Sequence, residues 1–262
     1  MIRCFIDEVG VAAPGVENWQ ALQNIFSEPD AYNPQSLARY TPQSLPPNER
    51  RRASQLVRLA FRSIEQIKAQ LPERGYASVF CSSGGDYDIF HKICSALAQP
   101  EKIVSPTQFH NSVHNAPAGY WSIATQNTHA STTISAFDYS FVMGLMDAAC
   151  QLQSEAQHLL LAAYDMVPPG PIAFSREVVA DFSASMLLSR DKSTHSICSL
   201  SLQSVENTAP TDALENSALE ALRLGNAAAR SLGLLGAIAL KRSSVVLALE
   251  ADSALRIELE YF

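Results

Sequence analysis

Three groups of side chains in this sequence could do covalent or metal chemistry. Cys81 closes a short apolar run and is followed by Ser82-Ser83-Gly84-Gly85, a turn that frees the backbone to change direction. A thiol there is a conceivable acyl-carrying nucleophile, although a cysteine inside an apolar run is more often a core residue. His110 and His114 stand four apart, the spacing at which two imidazoles share a helix face and can hold a metal. No acidic or cysteine ligand completes a set beside them, so hydrogen bonding is expected and no metal. Ser112 with His114, and the Ser82-Ser83 pair, invite a hydrolase reading, yet no Gly-x-Ser-x-Gly elbow is present. Asp138 opens a nearly all-apolar helix, where its ordinary role is an N-cap stabilised by roughly 0.3–1 kcal/mol. Cys150 lies deep in the same helix and reads as a buried core thiol.

The elements that must position these residues follow from apolar periodicity. Ile2, Cys4 and Ile6 alternate with Arg3 and Phe5 as an opening strand, and a loop around Gly10 to Gly15 leads to a short helix near Trp19. Residues 28–48, rich in Pro, Ser and Asn, read as an irregular loop. Leu56, Leu59, Ala60, Ile64, Ile67 and Leu71 recur at helical spacing, which predicts one long amphipathic helix from Arg50 to Leu71. Further on, the pattern predicts strands at 76–81, 131–136 and 156–163, and helices at 86–98 and 138–153. Segments 181–189 and 194–204 read as an antiparallel pair, followed by a helix at 212–235 and strands at 244–250 and 254–261. This order is α/β with a mixed sheet, in one domain over residues 1–262.

Composition narrows the function classes. With 47% of 262 residues hydrophobic the chain can bury a large core, and no apolar run reaches the roughly 20 residues of a membrane span. The start, MIRCFIDEVG, has neither a basic opening nor a cleavable apolar core, so a cytoplasmic location is expected. The formal charge of −7 disfavours nucleic acid. The five cysteines, Cys4, Cys81, Cys94, Cys150 and Cys198, are odd in number and lack Cys-x-x-Cys spacing, so all are expected to be reduced core residues.

From Ser105 the chain runs SPTQFHNSVHNAPAGYWSIATQNTHASTTISAFDYSFVMGLMDAA. Here Ser105-Pro106, Asn115, Ala118-Gly119, Ile123, Ser131, Ile134 and Ala148-Ala149 resemble, without a gap, the SP, N, AG, I, S, I and AA of the β-ketoacyl synthases of the thiolase superfamily. Counted from Ser105, the family's nucleophilic cysteine falls on Asp138. Counting back from the strand HLLLAA gives the same residue, with Phe137 as the neighbouring alternative; neither is cysteine. The RRASQLVRLAF helix, the CSSGGD turn and the FHNSVHNAPAGYWSIA run together are similar to the short ketosynthase-like proteins of aryl polyene gene clusters, regarded as chain-length-factor-like partners of a complete ketosynthase. The likeness covers most of residues 1–205.

The resemblance implies a thiolase-like fold truncated to about its N-terminal half, with the catalytic C-terminal half largely missing. Condensation in that family needs a thiolate at a helix N-terminus and two histidines from the second half. No histidine follows His195, and a carboxylate at position 138 would be a poor acyl carrier, so a pseudoenzyme without cofactor is expected. The implied partners are a complete β-ketoacyl-ACP synthase, in a heterodimer, and an acyl carrier protein reached through that complex. The SPTQF segment would then lie beside the partner's acyl tunnel, with Thr107, Gln108, Phe109 and Asn115 as tunnel or interface residues. Arg51, Arg52, Arg58 and Arg62 could dock the acidic carrier protein, or simply form a solvated helix face. Half of such a fold would expose strand edges and apolar surface, which calls for a large interface. The competing readings are a stand-alone acyltransferase or hydrolase using Cys81 or a serine, and a scaffold that binds a carrier protein.

Overall fold

Apolar runs build one eight-stranded mixed sheet in the computed structural model, which describes residues 2–73, 75–206, 213–250 and 252–262. The strands are β1 (Ile2–Ala12), β2 (Ala77–Cys81), β3 (Ser131–Ile134), β4 (His158–Asp165), β5 (Phe182–Ser189), β6 (Cys198–Glu206), β7 (Ser244–Glu250) and β8 (Ser253–Tyr261). Their spatial order is β3-β2-β4-β5-β1-β6-β8-β7. β2 runs parallel to β3 and β4, and the other pairs are antiparallel. The helices are α1 (Trp19–Ser27), α2 (Pro47–Arg52), α3 (Gln55–Ile67), α4 (Tyr87–Leu97), α5 (Pro106–Asn111), α6 (Ala116–Thr125), α7 (Ser140–Ser154), α8 (Gly170–Ala173), α9 (Ser217–Leu224) and α10 (Leu232–Ala239). Among the described residues no helix is long and apolar enough to cross a membrane.

Helices cover both faces, which is why the central strands are continuously apolar rather than alternating. On β4, Leu159, Leu161 and Ala163 join one core with α1, α7, α9 and α10. Leu160, Ala162 and Tyr164 join the other, with α3 and α6. In that second core the buried Trp121 satisfies its ring N–H by donating to Tyr76 Oη at 3.0 Å.

Several expectations change. The strands near 181–189 and 194–204 form, but they do not pair with each other. β1 runs between them, its first residues, Ile2–Ile6, on β6 and Phe5–Ala12 on β5, with an irregularity at Ile6/Glu8. Gly10 lies inside this strand rather than in a loop, because a Cβ there would collide with the Ser63 carbonyl of α3. The long helix is two helices: the chain breaks at Ala53, and Ser54 Oγ caps α3 by accepting Val57 N–H at 3.3 Å. The helix expected at 212–235 begins at a residue outside the described ones. It resolves into α9, a 3-10 turn at Ala228–Ser231 and α10. Asn226 enforces this break, with Nδ2 donating to the Ala180 carbonyl at 2.8 Å and Oδ1 accepting Ala229 N–H at 3.1 Å.

The β1-β6-β8-β7 end of the sheet exposes Phe262 beside Phe5, and otherwise a polar row. Arg3, Ser201, Glu258 and Ser244 are direct cross-strand partners, and so form one polar row across four strands. Arg3 also pairs with Glu260 at 2.5 Å and donates to Ser199 Oγ at 3.1 Å.

Candidate functional site

Apolar exposure concentrates at the opposite end of the sheet. β3 is the edge strand, bonded to β2 on one side, and it is only partly buried. α6 and α7 flank it in the layers above and below, and each leaves an apolar side chain open, Ile123 and Met143. The sheet and both helical layers therefore stop at one open boundary. Between β2 and α6 the chain makes an excursion through α4 and α5. α4 buries only Ile89 of its eleven residues, and Phe90, Leu97, Ile103, Phe109 and Val113 are exposed along the excursion.

The expected tunnel residues lie on this excursion. Ser105 caps α5 by accepting the Gln108 N–H at 3.5 Å; Thr107 and Phe109 are exposed and Gln108 is half-buried. Asn115 is exposed at the N-cap of α6 and makes no side-chain cap bond. Asn111 Nδ2 donates to the Arg52 carbonyl at 2.8 Å, fastening α5 to the end of α2. The arginines divide. Arg58 bonds the carbonyls of Ala53, Tyr40 and Arg50, and Arg62 that of Ala38, so both clamp the 38–53 segment that contains α2. Arg51 and Arg52 stay exposed, Arg51 bonded to Asn48 and Arg52 paired with Glu49 at 3.5 Å.

Asp138 follows β3 in a 3-10 turn, Phe137–Tyr139, that enters α7. It is not the helix cap: Tyr139 holds that place, without a side-chain bond. The Asp138 carboxylate instead accepts from Arg176 at 2.7 Å, and the guanidinium lies 4.0 Å from the centre of the Phe137 ring. The long reach of Arg176, from the loop after α8, captures the carboxylate before it can fold back on its own helix. The pair lines an open polar cleft with Ser175, Glu177, Val179 and Leu224.

The other nucleophile candidates are occupied or sealed. Cys81 is fully buried, and burial together with Asp165 pushes its thiol well above the ordinary range. Gly144 of α7 packs against it so closely that a Cβ there would overlap the sulfur. This removes Cys81 as an acyl carrier. Burial likewise pushes Cys4 and Cys198 up to about 12. All five cysteines are free, but Cys94 and Cys150 are exposed, against the expectation of a core position.

His110 and His114 do not share a helix, since α5 ends at Asn111. His110 meets the Tyr120 ring edge-on at 6.2 Å, and His114 Nε2 donates to the Ser82 carbonyl at 3.1 Å. Ser112 Oγ donates to the Phe109 carbonyl at 2.8 Å, so no Ser–His pair forms. Among the described residues no cluster of three metal-ligating side chains occurs.

Sequence reading missed the partner of Ser82 and Ser83. Asp165, buried at the end of β4, accepts at one oxygen from Ser82 Oγ at 3.0 Å, Ser83 Oγ at 2.9 Å and Ser83 N–H at 2.9 Å. Its other oxygen has no hydrogen-bond partner, and burial pushes the carboxyl up to about 6. The signal was an acid ending the otherwise apolar run HLLLAAYD, since a buried carboxylate must find donors. The same turn reaches the edge strand: Ser135 Oγ donates to the Ser83 carbonyl at 2.8 Å, and Ser82 N–H to the Ile134 carbonyl at 3.2 Å.

This layering, with a short parallel edge and helices on both faces, is the thiolase-like fold of ketosynthases. The chain belongs to the family described as β-ketoacyl synthase, N-terminal domain, whose model matches residues 18–245. The structure resembles that of the ketosynthase (ApeO) in complex with its chain length factor (ApeC) from Xenorhabdus doucetiae, with a TM-score of 0.77 and 20% identity over 98% of this chain and 100% of that one. The ishigamide ketosynthase/chain length factor gives a TM-score of 0.74 at 10% identity, covering 100% of both chains. AntDE:AntF, a type II polyketide acyl-carrier protein in complex with its ketosynthase, gives 0.71 at 12% identity, covering 100% of this chain and 99% of that one. No curated protein sequence matches the chain.

Proposed function

We propose that this chain is a non-catalytic, chain-length-factor-like subunit, a single domain that pairs with a complete β-ketoacyl-ACP synthase and shapes its acyl tunnel. The system would be an aryl polyene pathway or a related type II fatty-acid or polyketide assembly. The observation that carries this reading is the open boundary at β3. An edge strand, two helical layers and an apolar excursion all end there, while the far end of the sheet carries a polar row. On α7, Met143 and Cys150, two turns apart, are open on the face that also carries Asp147 and Gln151. A partner that covers this boundary would remove an edge-pairing hazard and a large apolar patch together.

Loss of catalysis is supported by the occupied Asp138 and the sealed Cys81. Two of the similar structures are described as ketosynthases with a chain length factor, and a third holds an acyl carrier protein. Transferred to this chain, those descriptions supply a ketosynthase as the direct partner and a carrier protein reached through it. Thr107, Gln108 and Phe109 would line or gate the tunnel, with Asn115 at the interface. Arg51 and Arg52 are the docking arginines left exposed, while Arg58 and Arg62 already clamp the 38–53 segment.

The test is reconstitution. The chain alone should not condense acyl and malonyl carrier-protein substrates. Co-expressed with a complete ketosynthase of the same genome it should form a 1:1 complex that does, burying at least about 2,000 Å². Condensation by the isolated chain, or labelling of it by a ketosynthase-directed thiol reagent, would overturn the proposal.

A further inference from the structure

We infer that Asn111 is a positioning residue for product length, the polar tie that sets where α5 carries Gln108 and Phe109; this rests on the tunnel role proposed above. Of the six residues of α5 only Asn111 is buried, while Phe109 is 67% exposed and Thr107 is open. A helix this short does not hold itself in water. The bonds of Ser105 and Ser112 stay within the turn and do not fasten it to the body. α4 packs beside it but buries only Ile89, and neither core takes in a side chain of α5. His110 meets the Tyr120 ring edge-on at 6.2 Å, a contact that tolerates a range of spacings.

The fixed point is the end of α2. The Arg52 carbonyl, 2.8 Å from Asn111 Nδ2, lies between two carbonyls that Arg58 already holds, Arg50 at 2.6 Å and Ala53 at 3.2 Å. Arg58 reaches them from α3, whose Leu56, Val57, Leu59 and Ala60 are buried. The acceptor is therefore anchored to the core although α2 buries none of its own residues. Position passes from α3 through Arg58 to α2, and through Asn111 to α5.

Asn111 is not filler. Its Oδ1 is buried and accepts no hydrogen bond, a cost that an aliphatic side chain would avoid. What asparagine adds is the donor to Arg52. Gln108 and Phe109 lie three and two residues before it in the same helix, so they move with it.

The experiment uses the full-length chain reconstituted with the complete ketosynthase, and reads the mass distribution of products at equal complex concentration together with KM for malonyl carrier protein. Asn111→Asp removes the donor without changing volume, Asn111→Ala removes the side chain, and Asn111→Gln keeps a carboxamide. One neutral hydrogen bond is worth about fivefold in the population of the position it holds. Asn111→Asp and Asn111→Ala should therefore spread the product over neighbouring lengths, the dominant product's share falling at least about twofold. KM should stay at the wild-type value, because Arg51 and Arg52 are carried by α2. Asn111→Gln should lie closer to wild type than either. A merely structural role would lower Tm and leave the distribution as it was. That result, equal spreading in all three variants, a KM raised in step with the spreading, or loss of the complex in both donor-free variants would overturn the positioning role. Phe109→Ala and Gln108→Trp separate the two readings. If they shift product length and the Asn111 variants do not, the positioning role alone falls; if they do not, the tunnel reading falls and the positioning role with it.

Discussion

Arg176 and Asp138 form an ion pair at 2.7 Å in which the guanidinium is the more buried partner, 13% exposed against 34% for the carboxylate. The spacing from Ser105 sets the expected place of the family's nucleophile at position 138, with Phe137 as the neighbouring alternative. A cysteine introduced at position 138 would meet the Arg176 guanidinium, which favours its thiolate, but among the described residues the cleft it lines holds no histidine to drive decarboxylation. Asp138→Cys in the isolated chain is therefore expected to give no condensation above the wild-type baseline, read by mass spectrometry of the carrier-protein products. Measurable condensation by this variant alone would contradict the non-catalytic assignment.

The contact between Gly144 and Cys81 predicts a rescue. A Cβ at position 144 overlaps the sulfur but lies 3.5 Å from Cys81 Cβ, an ordinary contact. Gly144→Ala should then destabilise the chain by about 1–3 kcal/mol through overpacking. Adding Cys81→Ala should recover most of that loss, in a double-mutant cycle followed by urea denaturation. Additive losses would show that α7 and β2 do not meet as described. Because the thiol is sealed, Cys81→Ala in the reconstituted pair should also leave product formation unchanged.

Asp165 gives a pH dependence of definite sign. Its carboxyl is raised to about 6, first by burial, so between its unfolded value near 4 and about 6 the folded chain holds more protons than the unfolded one. Stability from this residue is fully present below pH 4 and falls as pH rises to 6, by on the order of 3 kcal/mol or less. Asp165→Asn keeps an acceptor for Ser82 and Ser83 and removes the titration. The stability of Asp165→Asn relative to wild type should therefore rise between pH 4 and pH 7, then level off. A difference independent of pH would mean that Asp165 stays in one protonation state.

How much of this was legible in the sequence depended on whether the cause was local. The buried strands β2 and β4 announce themselves as apolar runs, and the spaced residues from Ser105 to Ala149 carried the family. The pairing of β5 with β6 did not survive because β1, nearly two hundred residues from β6 in sequence, inserts between them, and no local pattern records an inserted neighbour. The break at Ala53-Ser54 was written in the serine cap but masked by the apolar stripe that continues across it. Cys150 looked like core because Ala148, Ala149 and Leu152 surround it in sequence, yet it shares the face of Asp147 and Gln151. The Arg176–Asp138 pair joins residues from separate loops and left no trace in either segment.

The exposed ring of Phe109 and the half-buried Gln108 give the last prediction. Both sit on α5, whose start is fixed by the Ser105 cap and whose end is fastened by Asn111 to the Arg52 carbonyl, so their side chains project from an anchored turn. If they close the distal end of the partner's tunnel, a chain stops growing when another two-carbon unit no longer fits, and forcing it in costs typically about 1–3 kcal/mol. Phe109→Ala should therefore lengthen the dominant product by at least one two-carbon unit, and Gln108→Trp should shorten it. The measurement is the mass distribution of products from the reconstituted pair at equal complex concentration. An unchanged distribution in both variants, with the complex intact, would leave the chain as a scaffold for carrier protein and ketosynthase rather than a determinant of length.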